Sequence, residues 1–217
     1  MRMIPALCGM ALTLGLLAAA TGHGARAERD IAPVGQSDPN AGAELLGTPA
    51  PSWSFDRWIG SPPLSLARLR GKVVLLRWWT EGCSYCAATL PALDELRQRE
   101  AGGLVVIGVY HPKPPREVSD RHVLAIAKRL GFGGPIAVDA RWSTLERYWL
   151  GGHPERDWTS VSFLIDRRGN IRWVHGGGEY HPSEDPRHAA CSSRYRDLER
   201  AITAALAETA TPARSLQ

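Results

Sequence analysis

Apolar and polar positions recur with clear periods along most of the chain, and those periods predict its elements. Residues 73–79, Val-Val-Leu-Leu-Arg-Trp-Trp, are apolar on both faces, the pattern of a strand buried in the middle of a parallel sheet. Residues 86–99 switch to a helical period, with Leu90, Leu93 and Leu96 on one face and Asp94, Glu95, Arg97 and Gln98 on the other. Gly102 and Gly103 end that segment, and residues 104–110 form a second buried strand. Residues 118–130 are helical again, with Val123, Ile126, Ala127 and Leu130 as the apolar stripe. A short strand at 135–139 follows, then a short helix at 143–150 capped near Ser143. Residues 162–166 and 171–175 are strands joined by Arg167-Arg168-Gly169-Asn170, a hairpin signal. A polar loop at 176–191 leads to a last helix at 192–207, with Tyr195, Leu198, Ile202 and Leu206 on its inner face. Residues 64–69 read as a short strand and turn closed by Gly71.

Early strand–helix–strand units followed by a hairpin predict an α/β fold, a central mixed β-sheet flanked by helices on both faces, in a single domain. The length of 217 residues fits one domain with extensions. Hydrophobic residues make up 44%, enough for a real core and too many for a disordered chain. The 26 Lys and Arg against 22 Asp and Glu leave a net charge of only +4, spread along the chain. No basic run has the density of a nucleic-acid groove, so no nucleic-acid partner is expected.

The first residues have the pattern of a secretory signal. Arg2 supplies the positive end, residues 6–20 are almost unbroken apolar sequence, and Ala25-Arg26-Ala27 is a small-x-small cleavage site. Cleavage would make Glu28 the first residue; left uncleaved, the segment would anchor the chain to a membrane. Removing it also removes Cys8 and leaves Cys83, Cys86 and Cys191. An odd count in an exported protein points to a thiol outside a purely structural disulfide framework.

The chemistry centres on Cys83-Ser84-Tyr85-Cys86, between the central strand and a helix. A CxxC there sets its first cysteine at the helix N-terminus, where unpaired N–H groups and the helix dipole favour a thiolate. Cys83 can then attack a substrate disulfide and Cys86 can resolve the mixed disulfide. A structural disulfide or half of a zinc site is the alternative, but no second CxxC exists to complete a zinc pair.

From about residue 51 to residue 206 the chain resembles the exported TlpA/ResA-type thioredoxin-like proteins. The resemblance rests on Leu69-Arg70-Gly71-Lys72-Val73-Val74-Leu75 leading into Trp78-Trp79, on Cys83-Ser84-Tyr85-Cys86 and Pro91, on Val138-Asp139, and on Phe163-Leu164-Ile165-Asp166 followed by Gly169. It implies a thioredoxin-like fold and thiol–disulfide exchange with other proteins outside the cytoplasm, often on the cytochrome c maturation pathway.

Three departures from the family pattern matter. Ser160 stands where such proteins carry a cis-proline beside the CxxC. A non-proline cis bond costs about 3 kcal/mol, so a trans bond and an altered groove are expected. Arg77 stands where thioredoxins often bury an acidic residue, six positions before the first cysteine. Sharing the face of Val73 and Leu75, its cation is expected to stabilise the thiolate; alternatively its head reaches solvent or pairs with a carboxylate such as Glu81. Trp158 and Thr159 resemble the Trp-Asn segment of glutathione peroxidases, with Thr in place of Asn, and Thr80 resembles the peroxiredoxin Thr-x-x-Cys without its preceding proline.

The loop after the hairpin carries Glu179, His181, His188 and Cys191. The spacing fits no standard zinc pattern, so a solvated loop with a half-buried Cys191 capping the last helix is expected. A third, resolving thiol and a metal site are the alternatives. His111, beside the second strand, is read as a loop histidine, with a proton relay to the cysteines as its alternative. Trp78 and Trp79 are read as core and groove wall.

The chain thus divides into a signal at 1–27, a flexible segment at 28–50, a thioredoxin-like domain at 51–207 and a disordered tail at 208–217. The expected activity is an exported thiol–disulfide oxidoreductase of the periplasm or another extracytoplasmic space, acting on protein thiols and disulfides, without cofactor or metal, with a membrane-bound dithiol as one candidate electron donor. Cys83 and Cys86 are catalytic; Arg77, Trp79, Glu81, Trp158, Thr159 and Ser160 are candidates for tuning the pair or lining its groove. A thiol peroxidase and a Cu(I)-binding assembly chaperone are the rival readings.

Overall fold

The computed structural model describes residues 37–208. The expected signal at 1–27, the start of the flexible segment and nearly all of the tail lie outside the described residues. Six strands form one mixed sheet: β1 (Arg57–Ile59), β2 (Val73–Trp79), β3 (Leu104–Tyr110), β4 (Ile136–Val138), β5 (Ser162–Ile165) and β6 (Ile171–His175). Their spatial order is β1-β4-β3-β2-β5-β6. β2, β3 and β4 run parallel, while β1, β5 and β6 pair antiparallel to their neighbours. β2 lies between β3 and β5 and is buried along its whole length, which is why its sequence is apolar on both faces.

One face of the sheet packs on α1 (Ser84–Arg99), α2 (Asp120–Arg129) and α4 (Ala189–Ala207). Leu90, Leu93 and Leu96 of α1, Val123 and Ile126 of α2, and Leu198 and Ile202 of α4 meet Val73, Leu75 and Trp79 of β2 there. The opposite face packs Val74, Leu76 and Trp78 against α3 (Ser143–Leu145), the π-helical turn Glu146–Leu150 that continues it, and the N-terminal segment. The β2–α1–β3 and β3–α2–β4 crossovers step across the sheet in one direction, so handedness brings both helices to the same face.

Several elements differ from the expectations. Residues 64–69 form turns, and the additional strand is β1, further upstream. The cap of α3 is the buried Asp139, whose carboxylate accepts the N–H groups of Thr144 and Leu145 at 3.1 and 2.8 Å. Asp94, assigned to the solvent face of α1, is buried and accepts from Arg97, Gln98 and the Gly133 N–H. α4 begins three residues early, so Cys191 sits inside its first turn and is fully buried. Gly176 to Tyr180 are buried too, so the first part of the loop at 176–191 is packed, while 181–190 are half-buried or exposed as expected. Residues 37–50, the later part of the segment expected to be flexible, lie along β6: Gly47 N–H donates to Ile171 O at 2.8 Å, and Ile171 N–H donates to Thr48 O at 2.9 Å.

Candidate active site

Cys83 is the N-cap of α1, and its sulfur accepts the Cys86 N–H at 3.1 Å. The two cysteines form a disulfide with their Cα atoms 5.3 Å apart. Cys83 is half-buried and Cys86 fully buried, so the first sulfur faces outward and the second faces the core. Cys83 opens into a groove of about 370 Å³ whose lining includes Glu81, Tyr85, Lys113, Asp157, Trp158 and Ser160.

The groove's far wall is the loop before β5. Ser160 Oγ lies 3.4 Å from Cys83 Sγ and 3.5 Å from Cys86 Sγ, so a hydroxyl touches both sulfurs where a proline ring is the family norm. The Thr159–Ser160 bond is trans, as expected; Lys113–Pro114 is the cis bond among the described residues. Trp158 packs against Tyr85 at a tilt, with ring centroids 5.5 Å apart, forming an aromatic lip. Gly177, at φ 138°, backs that lip: a Cβ there would collide with the Trp158 side chain.

Arg77 reaches neither solvent nor Glu81; the carboxylate that acts on it is Glu179. The Arg77 side chain is fully buried on the face it shares with Val73, Leu75 and Trp79. Its guanidinium donates to the Ser160 carbonyl, to Gly178 O at 3.0 Å and to Ser162 Oγ at 3.5 Å, and stacks 5.3 Å from the centre of the Tyr180 ring. Burial pulls its pKa down, while Tyr180 and Glu179 oppose that pull. A buried cation therefore holds the backbone of the residue that touches both sulfurs. Glu81 instead stands at the groove rim, paired with Arg116 and with His122 Nε2 at 2.7 Å. Those hydrogen bonds, His122's first, hold its carboxyl below the usual range.

Trp79, a groove candidate in the sequence, is fully buried and meets Tyr110 edge-to-face, with ring centroids 4.9 Å apart; it is core. Lys113 and Asp157 line the groove although no motif marks them, because the loops that carry them meet only in the folded chain. Cys191 faces Glu179 and His188 instead of the dithiol, with Sγ 3.6 Å from each.

His111 is a buried strut, not a loop histidine. Its Nδ1 lies 3.0 Å from Trp79 O, an acceptor, so Nδ1 carries the proton and Nε2 accepts the Thr159 hydroxyl at 2.9 Å. Both nitrogens are thereby engaged in holding the Thr159–Ser160 loop. Burial, aided by the Lys113 and Arg77 charges, lowers its pKa to about 3, and burial lowers His175 well below its usual value. In the unfolded chain both take protons near pH 6.5. Below that pH the unfolded state binds more protons, so stability falls as pH falls, down to about pH 3 for His111. His111 should remove about 2 kcal/mol between pH 7 and pH 5, above the range where carboxylates titrate, and His175 acts in the same direction. Urea unfolding across that range should show the loss, and His111→Gln should reduce its slope; a flat profile would mean that the histidines are not buried neutral.

Residues 46–174 match the AhpC/TSA family. DipZ of Mycobacterium tuberculosis is 33% identical over 153 residues, which covers 68% of this chain but only 21% of DipZ. The thiol-disulfide oxidoreductase ResA of Bacillus anthracis is 26% identical over 127 residues, 58% of this chain and 66% of ResA. Among solved structures, a thiol:disulfide interchange protein of the thioredoxin family from Chlorobium tepidum superposes with a TM-score of 0.54 at 23% identity, covering 74% of this chain and 97% of the other. That likeness gives the fold, a thioredoxin-like one. By the match over residues 46–174, the chain belongs to the AhpC/TSA family, with ResA and DipZ among its relatives.

Proposed function

We propose that this protein is an exported thiol–disulfide oxidoreductase that exchanges its Cys83–Cys86 dithiol or disulfide with partner proteins. The observation that carries the reading is the asymmetry of the pair at the N-terminus of α1, one sulfur in the groove and one behind it. In the reducing direction the Cys83 thiolate attacks one sulfur of a partner disulfide and expels the other as a thiolate. Cys86 then attacks Cys83 Sγ in the mixed disulfide, expels the second partner thiolate and leaves Cys83–Cys86 oxidised; two electrons have passed to the partner. The same steps reversed oxidise a partner dithiol. Export rests on the pattern of residues 1–27, and no helix among the described residues is long and apolar enough to cross a membrane. The Cu(I) chaperone needs a histidine beside the sulfurs, and His111, next to the Ser160 loop, has both nitrogens engaged.

A redox titration of the protein without residues 1–27, read by alkylation and mass spectrometry, tests the proposal. One two-electron transition confined to Cys83 and Cys86 is the expected result, and its midpoint gives the direction of flow. Pairing of Cys83 with Cys191, or peroxide consumption faster than disulfide exchange, would replace it with the peroxidase reading.

A further inference from the structure

The loop between β6 and α4, together with the first turn of α4, gathers four donors. We infer that Glu179, His181, His188 and Cys191 form a four-ligand site for a zinc-class divalent ion. Their donor atoms all lie within 4.8 Å of one another. Glu179 Oε1 is 2.9 Å from His188 Nδ1, 3.6 Å from Cys191 Sγ and 3.8 Å from His181 Nε2, and Cys191 Sγ is 3.6 Å from His188 Nδ1. Ligand bonds of 2.0–2.3 Å at tetrahedral angles set donor–donor edges at roughly 3.3–3.7 Å, so small shifts suffice to seat an ion.

His181 is already oriented for coordination. Its Nδ1 lies 2.9 Å from the Pro182 carbonyl, which can only accept, so the proton is on Nδ1 and the Nε2 lone pair faces the cluster. That Nε2 is buried and has no hydrogen-bond partner. A backbone carbonyl that fixes the tautomer of a ligating imidazole is the usual outer support of a metal site. One thiolate, two imidazoles and one carboxylate suit a borderline ion such as zinc, and not magnesium or calcium, which take oxygen donors. The side chains of His181 and His188 are 15% and 25% exposed, leaving a route in from solvent.

Four protein ligands make a closed, structural type of site. Its ligands come from the loop, from the end of the 3₁₀ turn Pro186–His188 and from the first turn of α4, so the ion would clip three segments together. Gly178, next to Glu179, supplies the carbonyl that Arg77 holds beneath the dithiol. The site is distinct from the exchange reaction and does not depend on it.

The test uses purified protein with Cys83–Cys86 oxidised, so that the dithiol cannot ligate. Zinc is titrated against a chromophoric chelator, bound metal is counted by elemental analysis, and Co²⁺ serves as a spectroscopic substitute. The expected result is one zinc per chain, at least a tenfold loss of affinity in both His181→Ala and His188→Ala, and no change in the control His122→Ala. The Co²⁺ complex should show thiolate charge-transfer absorption, and zinc should protect Cys191 from alkylation. Binding well below one per chain, binding in either histidine variant equal to that of the unaltered protein, or a Co²⁺ spectrum without a thiolate band would overturn the site. The spectrum on unaltered protein decides the matter even where a variant fails to fold.

Discussion

Cys83→Ser should reduce disulfide-exchange turnover by more than about 10³-fold, to background, with the fold intact. Cys83 is the sulfur that faces the groove, and the serine hydroxyl that replaces it cannot attack a disulfide at neutral pH. Cys86→Ser should behave differently. Its Cys83 keeps the N-cap position and the groove, so attack proceeds, but no buried thiol follows to resolve the product. The variant should accumulate a stable mixed disulfide at Cys83, visible as a mass shift that a reductant reverses. If Cys86→Ser turns over like the unaltered protein, a thiol other than Cys86 resolves, and Cys191 becomes the candidate. Trapping at Cys86 in the Cys83→Ser variant would reverse the roles of the pair.

Arg77→Met should cost about 2–4 kcal/mol of stability and also change the redox pair. The loss arises because the carbonyls of Ser160 and Gly178 lose a charged donor inside the core, offset in part by the relief of burying a guanidinium. The redox effect has a definite sign. A cation that supports the Ser160 backbone favours negative charge at the sulfurs that Ser160 touches, so its removal should raise the Cys83 pKa by about one unit. Destabilising the thiolate destabilises the reduced form, which lowers the potential by on the order of 30 mV and makes the protein a better reductant. Arg77→Lys should keep part of the charge effect while losing the fork that bridges two carbonyls. Thermal unfolding measures the first effect; alkylation rate against pH and a redox titration measure the second. A destabilised Arg77→Met variant with unchanged Cys83 pKa and potential would leave Arg77 a purely structural role.

What could be read from the sequence and what could not divide along local and long-range causes. β2, β3, the β5–β6 hairpin and the leucine face of α1 are written in local periodicity, and the CxxC at the strand–helix junction follows from them. The position of Arg77 on the Val73–Leu75 face is equally local, since alternation along a strand sets it. Its partners are not: Ser160 and Gly178 lie 83 and 101 residues further on, and nothing near Arg77 announces them. β1 is three residues long and owes its strand geometry to pairing with β4. Trp79 looked suited to a groove because it ends β2 toward the CxxC, but its neighbours Tyr110 and Gly108 leave it room only in the core. The polar composition of 176–191 suggested solvation, yet Tyr180 packs against Trp173 and its hydroxyl bonds Ser162 at 2.6 Å, which draws Glu179 inward.

The segment that lies along β6 has a consequence for how partners bind. Many proteins capture an extended peptide by letting it join a sheet as an extra strand. Here the outer side of β6 at Ile171 is already bonded to Gly47 and Thr48, and Pro49 bridges Asn170. At the opposite margin β1 offers only three residues, with Arg57 tied to Asp120. Strand addition is thus closed to a client at Ile171 and short-lived at β1. Under the exchange proposed above, a client cysteine reaches Cys83 through the groove between the aromatic lip and the Thr159–Ser160 backbone, and clients should share an accessible disulfide more than a common sequence.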